Sequence, residues 1–306
     1  MNSKYVAIPV TTECNFKCPY CQSSGESIPN VYGIWNYNRL KEIIEVFLNA
    51  GYRNFRITGG EPTTVPYLGE LLNFLLQNPE VRVRINTNGY QIEKYVTCLN
   101  SRTEIIFSVD GFRNGFSPKC LTDELLVKMH CLKSKDIPIR LNCVVTKNNA
   151  GEVEELLKFC SINGLNIKLL DLSPRPEYQG IIQNNFLENN YFDLKKLKIP
   201  FTKISSNFRT EMIKKGTGIP MSGYDLGDGH WLQVKDSSKE PYYASVCYKC
   251  PHKDSCVEGV FSLSLSVGEI LRVANCVNQE YWTKLSGLNQ RQIEEELKKI
   301  EETFFE

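Results

Sequence analysis

From residue 4 to about residue 171 the chain alternates short apolar runs with amphipathic ones, and this rhythm limits the fold more than any other feature. Strand-like runs stand at 5–10, 54–58, 81–86, 104–109, 138–146 and 165–171. Between them, 37–50, 67–77, 91–99, 122–133 and 150–162 carry apolar residues at helical spacing. In the first of these, Leu40, Ile43, Ile44, Phe47 and Leu48 share a face, and Gly51 supplies a stop. Strand–helix units in series argue for a parallel α/β sheet. A doubly wound sheet needs a glycine-rich phosphate loop after its first strand. That place is taken by Cys14-Asn15-Phe16-Lys17-Cys18-Pro19-Tyr20-Cys21.

These three thiols, spaced C-x3-C-x2-C, can wrap one metal centre from a single loop. Thiolates are soft ligands, suited to iron–sulfur clusters, zinc or Cu(I). A cubane cluster usually takes four cysteines, so three would leave one iron open to a substrate or cosubstrate. A small zinc knuckle is the plainer alternative. Further on, Thr58-Gly59-Gly60-Glu61-Pro62 closes the second strand-like run. Paired glycines let a backbone approach a ligand closely, and a carboxylate can receive an ammonium.

Together the two motifs resemble the radical S-adenosylmethionine (SAM) superfamily. The resemblance implies a 4Fe–4S cluster on Cys14, Cys18 and Cys21, whose open iron chelates SAM. It implies that Gly59, Gly60 and Glu61 hold the methionyl amine, and that Tyr20 lies near the adenine. Ser108, Asp110 and Asn142 would lie near the ribose or the methionyl carboxylate; strand-end hydrogen bonding, or a turn at Asp110-Gly111, is the alternative. One electron into the sulfonium would release a 5′-deoxyadenosyl radical that abstracts hydrogen from the substrate. The implied fold is a partial (β/α)6 TIM-type barrel. Chemistry in such barrels sits at the carboxyl ends of strands, where both motifs fall. A flavodoxin- or ferredoxin-type electron donor is implied as well.

A second cysteine group, Cys247-x2-Cys250-x5-Cys256, is followed by Cys276. Between them, 261–267 alternates apolar residues with Ser, Gly268-Glu269 turns, and 270–274 runs back as a β-hairpin. Four thiolates suit either structural zinc or a fully ligated 4Fe–4S cluster. The layout resembles the auxiliary-cluster (twitch or SPASM-like) extension of radical SAM enzymes, nearest in architecture to the GTP 3′,8-cyclase branch. The stretches 108–111 and 140–149 share that likeness. The departures are a candidate fourth ligand in Cys256, Ser262-Leu263-Ser264-Leu265-Ser266 where that branch carries arginines, and the ending Phe304-Phe305-Glu306 without a glycine pair. The resemblance therefore carries the fold and the radical chemistry, not the substrate. The expected division is a barrel over 1–185, a linker with an irregular segment and a glycine-rich loop over 186–246, and an auxiliary-cluster domain over 247–306. The glycine run at 216–229 reads as a lid or an ordinary surface loop, and 290–302 as an amphipathic helix.

Composition narrows the classes further. The formal net charge of +1 implies no nucleic-acid partner. No apolar run approaches the roughly 18 residues of a membrane helix, and Met1-Asn2-Ser3-Lys4 begins no secretory signal, so a cytoplasmic protein is expected. There, 12 cysteines point to metal rather than disulfides. Arg56, Arg84 and Arg140 lie on or beside expected strands. Turned inward, their forked guanidiniums suit an anionic substrate; turned outward, they are structural. His230-Trp231 reads as a surface or core pair. Cys120 and Cys143 are buried inert thiols or, alternatively, a hydrogen-atom donor. The leading functional reading is oxidation, cyclisation or epimerisation of a small polar metabolite of nucleotide or sugar type. A peptide-modifying maturase is the second reading, although barrel and cluster domain leave no room for a leader-binding module. A zinc-binding interaction protein is the third.

Overall fold

The computed structural model describes residues 5–21, 31–113, 116–172, 184–205, 221–235, 241, 243–256, 262–273 and 276–305. The expected alternation is present. Strands β1 (Tyr5–Pro9), β2 (Asn54–Thr58), β3 (Arg82–Thr87), β4 (Thr103–Ser108), β5 (Ile139–Val145) and β6 (Asn166–Asp171) pair in sequence order, all parallel. Helices α1 (Tyr37–Asn49), α2 (Leu68–Leu76), α3 (Asp123–Lys133) and α4 (Val153–Ile162) make the returns. Asn36 and Thr122 cap α1 and α3 by accepting from the Arg39 and Leu125 amides, which satisfies donors a helix start otherwise leaves open. The return between β3 and β4 differs from expectation: Ile92–Cys98 is a 3-10 coil. Gln91 enters it with φ 52°, and the β-branched Ile92, Val96 and Thr97 disfavour a tight α-turn.

Successive strand residues point to opposite faces, and this sorts the barrel. Ile8, Phe55, Ile85, Phe107, Leu141 and Ile167 are fully buried against the helical layer, each worth roughly 1.5–3 kcal/mol of transfer free energy. The alternate positions, among them Arg56, Arg84, Asn86, Glu104 and Asn142, turn to the inside. The barrel therefore has an apolar shell and a polar lumen.

Past β6 the segment expected at 186–246 to be irregular carries regular elements over its described part. After α5 (Asn184–Asn190) come β7 (Lys203–Ser205), β8 (Met221–Gly227) and β9 (His230–Lys235). The last two form an antiparallel hairpin, and β9 lies parallel to β6. The expected loop is thus a strand and a tight turn over its described part: Gly227, Asp228 and Gly229 all have positive φ, and Asp-Gly is a strong hairpin signal. The rest of the glycine run, 216–220, lies outside the described residues.

On the other flank, β10 (Leu263–Leu265) pairs parallel to β1, β11 (Ile270–Val273) antiparallel to β10, and β12 (Thr283–Lys284) antiparallel to β11. The expected hairpin is present, turning at Glu269 with φ 57°; Phe261 and Ala274 lie outside the described residues. The single sheet runs β12-β11-β10-β1-β2-β3-β4-β5-β6-β9-β8-β7. Helix α6 (Gln290–Phe304) opens with a capping box at Asn289 and Gln292 and buries Ile293, Leu297, Ile300 and Phe304. It packs beside α1, where the Tyr52 hydroxyl donates to Glu301 at 2.8 Å. Arg39 ties the same corner, donating to the carbonyls of Leu285 (2.7 Å) and Leu288 (3.0 Å) and pairing with Glu269. Hairpin and last helix therefore continue the barrel's own layers. Among the described residues no helix is long and apolar enough to cross a membrane.

Candidate functional site

The cysteine loop leaves the carboxyl end of β1 and is clamped by the turn after β2. The amides of Gly60 and Glu61 donate to the carbonyls of Thr11 and Glu13, both at 2.8 Å. A Cβ on Gly59 would sit 2.3 Å from the Thr11 oxygen, and one on Gly60 1.9 Å from the Glu13 oxygen. The glycine pair is needed because two stretches of protein backbone touch there. This backbone contact is a reason that the sequence reading, which gave ligand approach, did not include.

Glu61 is 1% exposed. Its Oε1 accepts from the Thr63 amide (3.1 Å) and from the hydroxyls of Thr63 and Thr87 (both 2.7 Å), and its Oε2 from the Asn88 amide (2.7 Å). Burial holds this carboxyl above its ordinary range, with those four bonds opposing. A second lone pair on Oε2 is open to a cation. Asn88 carries the clasp onward, with Nδ2 2.9 Å from Asn15 Oδ1 and 3.9 Å from Cys14 Sγ.

Asp110, 4% exposed, ties the other side of the loop. It accepts from the Tyr20 hydroxyl, from Ser117 Oγ at 2.7 Å and from the Val144 amide at 3.0 Å. Tyr20 stacks on Phe116, and the Lys119 ammonium lies 5.2 Å over the Tyr20 ring. Burial pushes the Cys18 thiol up to about 11, with Lys119 opposing. Ser117 and Lys119 were not singled out from sequence; they come from a strap after β4 without a periodic signal. Of the remaining candidates, Ser108 stands half-buried on the inward face. Cys143 faces the helices, fully buried, and burial raises its thiol well above the usual range. Cys120 donates to the carbonyls of Arg113 and Ser117. Neither thiol lies on the lumen face.

The second group forms around two 3-10 turns, Ser245–Lys249 and Lys253–Ser255, which set Cys247, Cys250 and Cys256. The hairpin returns Cys276 to them. Its thiol is pushed up to about 12, by burial first and then by Cys256, Cys250 and Cys247. Asn278 Nδ2 points at Cys250 Sγ, 3.7 Å away. All described cysteines are free thiols. Among the described residues no three His, Cys, Asp or Glu side chains converge as ligands of one ion.

Below the loop, the lumen holds the three arginines, which face inward. Arg84 Nε pairs with Glu104 Oε2 at 2.9 Å, and Arg140 Nε faces Glu104 Oε1 at 3.6 Å. The guanidiniums of Arg56 and Arg84 lie 5.8 and 6.0 Å from the Tyr5 ring, and that of Arg140 lies 5.8 Å from Trp231. Trp231 is therefore a lumen wall, while His230 sits outside, against Gly164. Arg140 is 7% exposed. Burial pulls its pKa down, Glu104 opposes, and Arg84 and Arg56 add to the pull. Asn86 Oδ1, Asn142 Oδ1, Gln233 Oε1 and Ser264 Oγ are buried without a hydrogen-bond partner among the described residues. Glu104, Gln233 and Ser264 were missed from sequence, although strand parity alone marks them as inward.

A model of the radical SAM superfamily matches residues 8–160. The chain belongs to the radical SAM superfamily. Curated relatives include the GTP 3′,8-cyclases of Aliarcobacter butzleri, 23% identical over 89% of this chain and 83% of that one, and of Nautilia profundicola, 24% identical over 89% and 85%. Among solved structures, native anSMEcpe with bound AdoMet superposes with a TM-score of 0.58 at 16% identity, covering 98% of this chain and 80% of that one. Streptococcus suis SuiB bound to S-adenosylmethionine gives 0.56 at 14% identity; the alignment covers 94% of this chain and 62% of SuiB. These likenesses match the partial-barrel fold. The radical SAM cofactors are SAM and a 4Fe–4S cluster, and the donor set fits them. Three thiols share one loop, the Phe16 amide is 3.3 Å from Cys14 Sγ, and a buried carboxylate with spare acceptor capacity lies beside it.

Proposed function

We propose that this radical SAM protein removes a hydrogen atom from a small anionic metabolite held in the lumen. Nucleotide or sugar type is the substrate class, and the outcome is oxidation, cyclisation or epimerisation. In this reading Cys14, Cys18 and Cys21 hold the first cluster. Cys247, Cys250, Cys256 and Cys276 hold an auxiliary 4Fe–4S cluster, a reading supported by their number and by the Asn278 amide 3.7 Å from the Cys250 sulfur. Glu61 and the Gly59–Gly60 backbone receive the SAM ammonium. When bound, cluster and SAM supply one-electron reduction and hydrogen-atom abstraction. The chain's own residues bind, orient and exclude water. Arg140, Arg84 and Arg56 take the anionic group. Asn86, Asn142, Gln233 and Ser264, which both donate and accept, take the substrate's hydroxyls. The barrel wall keeps the reacting carbon dry.

The observation that carries this reading is the set of buried polar atoms on inward strand positions, Asn86 Oδ1, Asn142 Oδ1, Gln233 Oε1 and Ser264 Oγ, without a hydrogen-bond partner among the described residues. Native interiors seldom leave such groups unpaired unless a ligand or water takes them. The relatives named GTP 3′,8-cyclase support a nucleotide-type substrate. The test is anaerobic reconstitution followed by reduction in the presence of SAM and deuterated nucleotides or sugar phosphates. About eight irons per chain and deuterium in the released 5′-deoxyadenosine are expected. Intact SAM in the fully loaded, reduced protein would overturn the reading, as would cleavage persisting in Cys18→Ala.

A further inference from the structure

Lys119 is fastened by its backbone. Its amide donates to Ser117 Oγ at 3.2 Å, and its carbonyl accepts from the Asp110 amide at 2.7 Å. The next residue, Cys120, bridges to Gly111, so the strap is tied to the end of β4. From there the half-buried side chain reaches the cysteine loop, with Nζ 5.2 Å from the centre of the Tyr20 ring. Ser117 Oγ, on the same strap, is 3.9 Å from Cys18 Sγ. Among the described residues Lys119 Nζ has no hydrogen bond and no ion pair. Burial is the largest influence on the thiols of Cys18 and Cys14. Next at Cys18 comes Lys119, ahead of Asp110; at Cys14 the Glu61 carboxylate outranks Lys119. Glu13 and Lys17, on the loop itself, are exposed, where salt screens their charge. Arg113, farther along the strap, is exposed and faces Glu152 at 3.8 Å. Among the described residues Lys119 is thus the one inward cation acting on the loop, between two anions. Burial pulls its pKa down, but Asp110, Cys18, Cys21 and Cys14 outweigh that and hold it above the ordinary lysine value.

We infer that the Lys119 ammonium raises the reduction potential of the cluster on Cys14, Cys18 and Cys21, and so eases the electron transfer on which SAM cleavage depends. The inference rests on the reading that these three cysteines hold that cluster. The potential of an iron–sulfur cluster is set by its net charge, by hydrogen bonds to its sulfurs and by exposure. A cluster on three thiolates becomes more negative when it is reduced. A fixed cation nearby stabilises that form, most where water is displaced and the local dielectric is low. Without Lys119, the inward charges acting on the loop from the described residues are Glu61 and Asp110, both anions, and each disfavours an added electron. Lys119 acts through this field, and its backbone anchors fix the distance over which it acts.

A redox titration of the reconstituted holoenzyme, followed by electron paramagnetic resonance, tests this. The reduced-cluster signal that changes on adding SAM marks the first cluster. In Lys119→Gln, and in Lys119→Met, which keeps the apolar stem, its midpoint is expected to fall by at least about 59 mV, a tenfold change in the oxidised-to-reduced ratio of a one-electron couple. Lys119→Arg, which keeps the charge, stays near the wild type, as does Lys17→Gln, which removes an exposed cation from the same loop. An unchanged or raised midpoint in either neutral variant overturns the inference and leaves the cluster reading intact. An equal fall in Lys119→Arg or in Lys17→Gln does the same, since side-chain shape or overall charge would then be the cause. Failure of both neutral variants to load iron overturns it too, because the ammonium would then serve assembly. A wild type without a SAM-responsive signal, or a Cys18→Ala protein that keeps one, removes the cluster reading and the inference together.

Discussion

Glu61 and Asp110, at the rim of the barrel, hold their carboxylates with four and three internal donors. Asn142, Gln233 and Ser264, deeper in the same barrel, have none. All are largely buried polar side chains on or beside strands. At the rim the hydrogen bonds are spent on the protein itself, fixing the cysteine loop before anything binds. In the lumen they are held back. A buried polar group left unpaired costs about 1–3 kcal/mol, so the lumen tolerates a destabilisation that a ligand's hydrogen bonds can offset. The contrast separates residues that build the site from residues that read its contents.

The contrast can be broken by substitution. Gly60→Ala strikes hardest, because the new Cβ would lie 1.9 Å from the Glu13 oxygen. A loss of about 3–5 kcal/mol is expected, read from the denaturation midpoint, with poor iron loading. An unshifted midpoint would mean the rim is not rigid. Asp110→Asn replaces an acceptor of three bonds by an amide and should cost about 1–3 kcal/mol, with slower cluster incorporation. For Ser264→Ala and Gln233→Leu, stability should stay within about 0.5 kcal/mol of wild type or rise, while substrate affinity falls about tenfold. A drop in stability as large as that of Asp110→Asn would erase the distinction between rim and lumen. The smallest effect concerns reactivity. The thiolate is the reactive form, so Cys160, pushed up to about 12 by burial, should resist iodoacetamide at pH 8 until the chain unfolds. Exposed Cys131 should react in the native state. Mass spectrometry of the alkylated peptides distinguishes the two.

The period-two runs and their glycine and cysteine punctuation announce the parallel barrel, because alternation and turn chemistry are local properties. The cysteine spacing and the Gly59-Gly60-Glu61 turn mark the rim for the same reason. Other features depend on neighbours distant in sequence. That Gly60 faces the Glu13 carbonyl, that Tyr20 meets Asp110, and that Glu104 lies between two arginines are facts of register between strands. The hairpin of β8 and β9 was legible in Asp228-Gly229 and in the alternation of Leu232 and Val234, but the surrounding glycines obscured it. Ile92–Cys98 shows tertiary packing and β-branched residues overriding an apparent helical spacing.

Strand β1, which leads straight into the cysteine loop, is flanked on one side by β2 and on the other by β10. The second neighbour of β1 leaves the ribosome some 250 residues after it. Until then one edge of that strand is bare, and the helix that covers the corner near Tyr52 does not yet exist. A nascent chain stalled before Leu263 accordingly offers chaperones an open β-edge beside the cysteine loop.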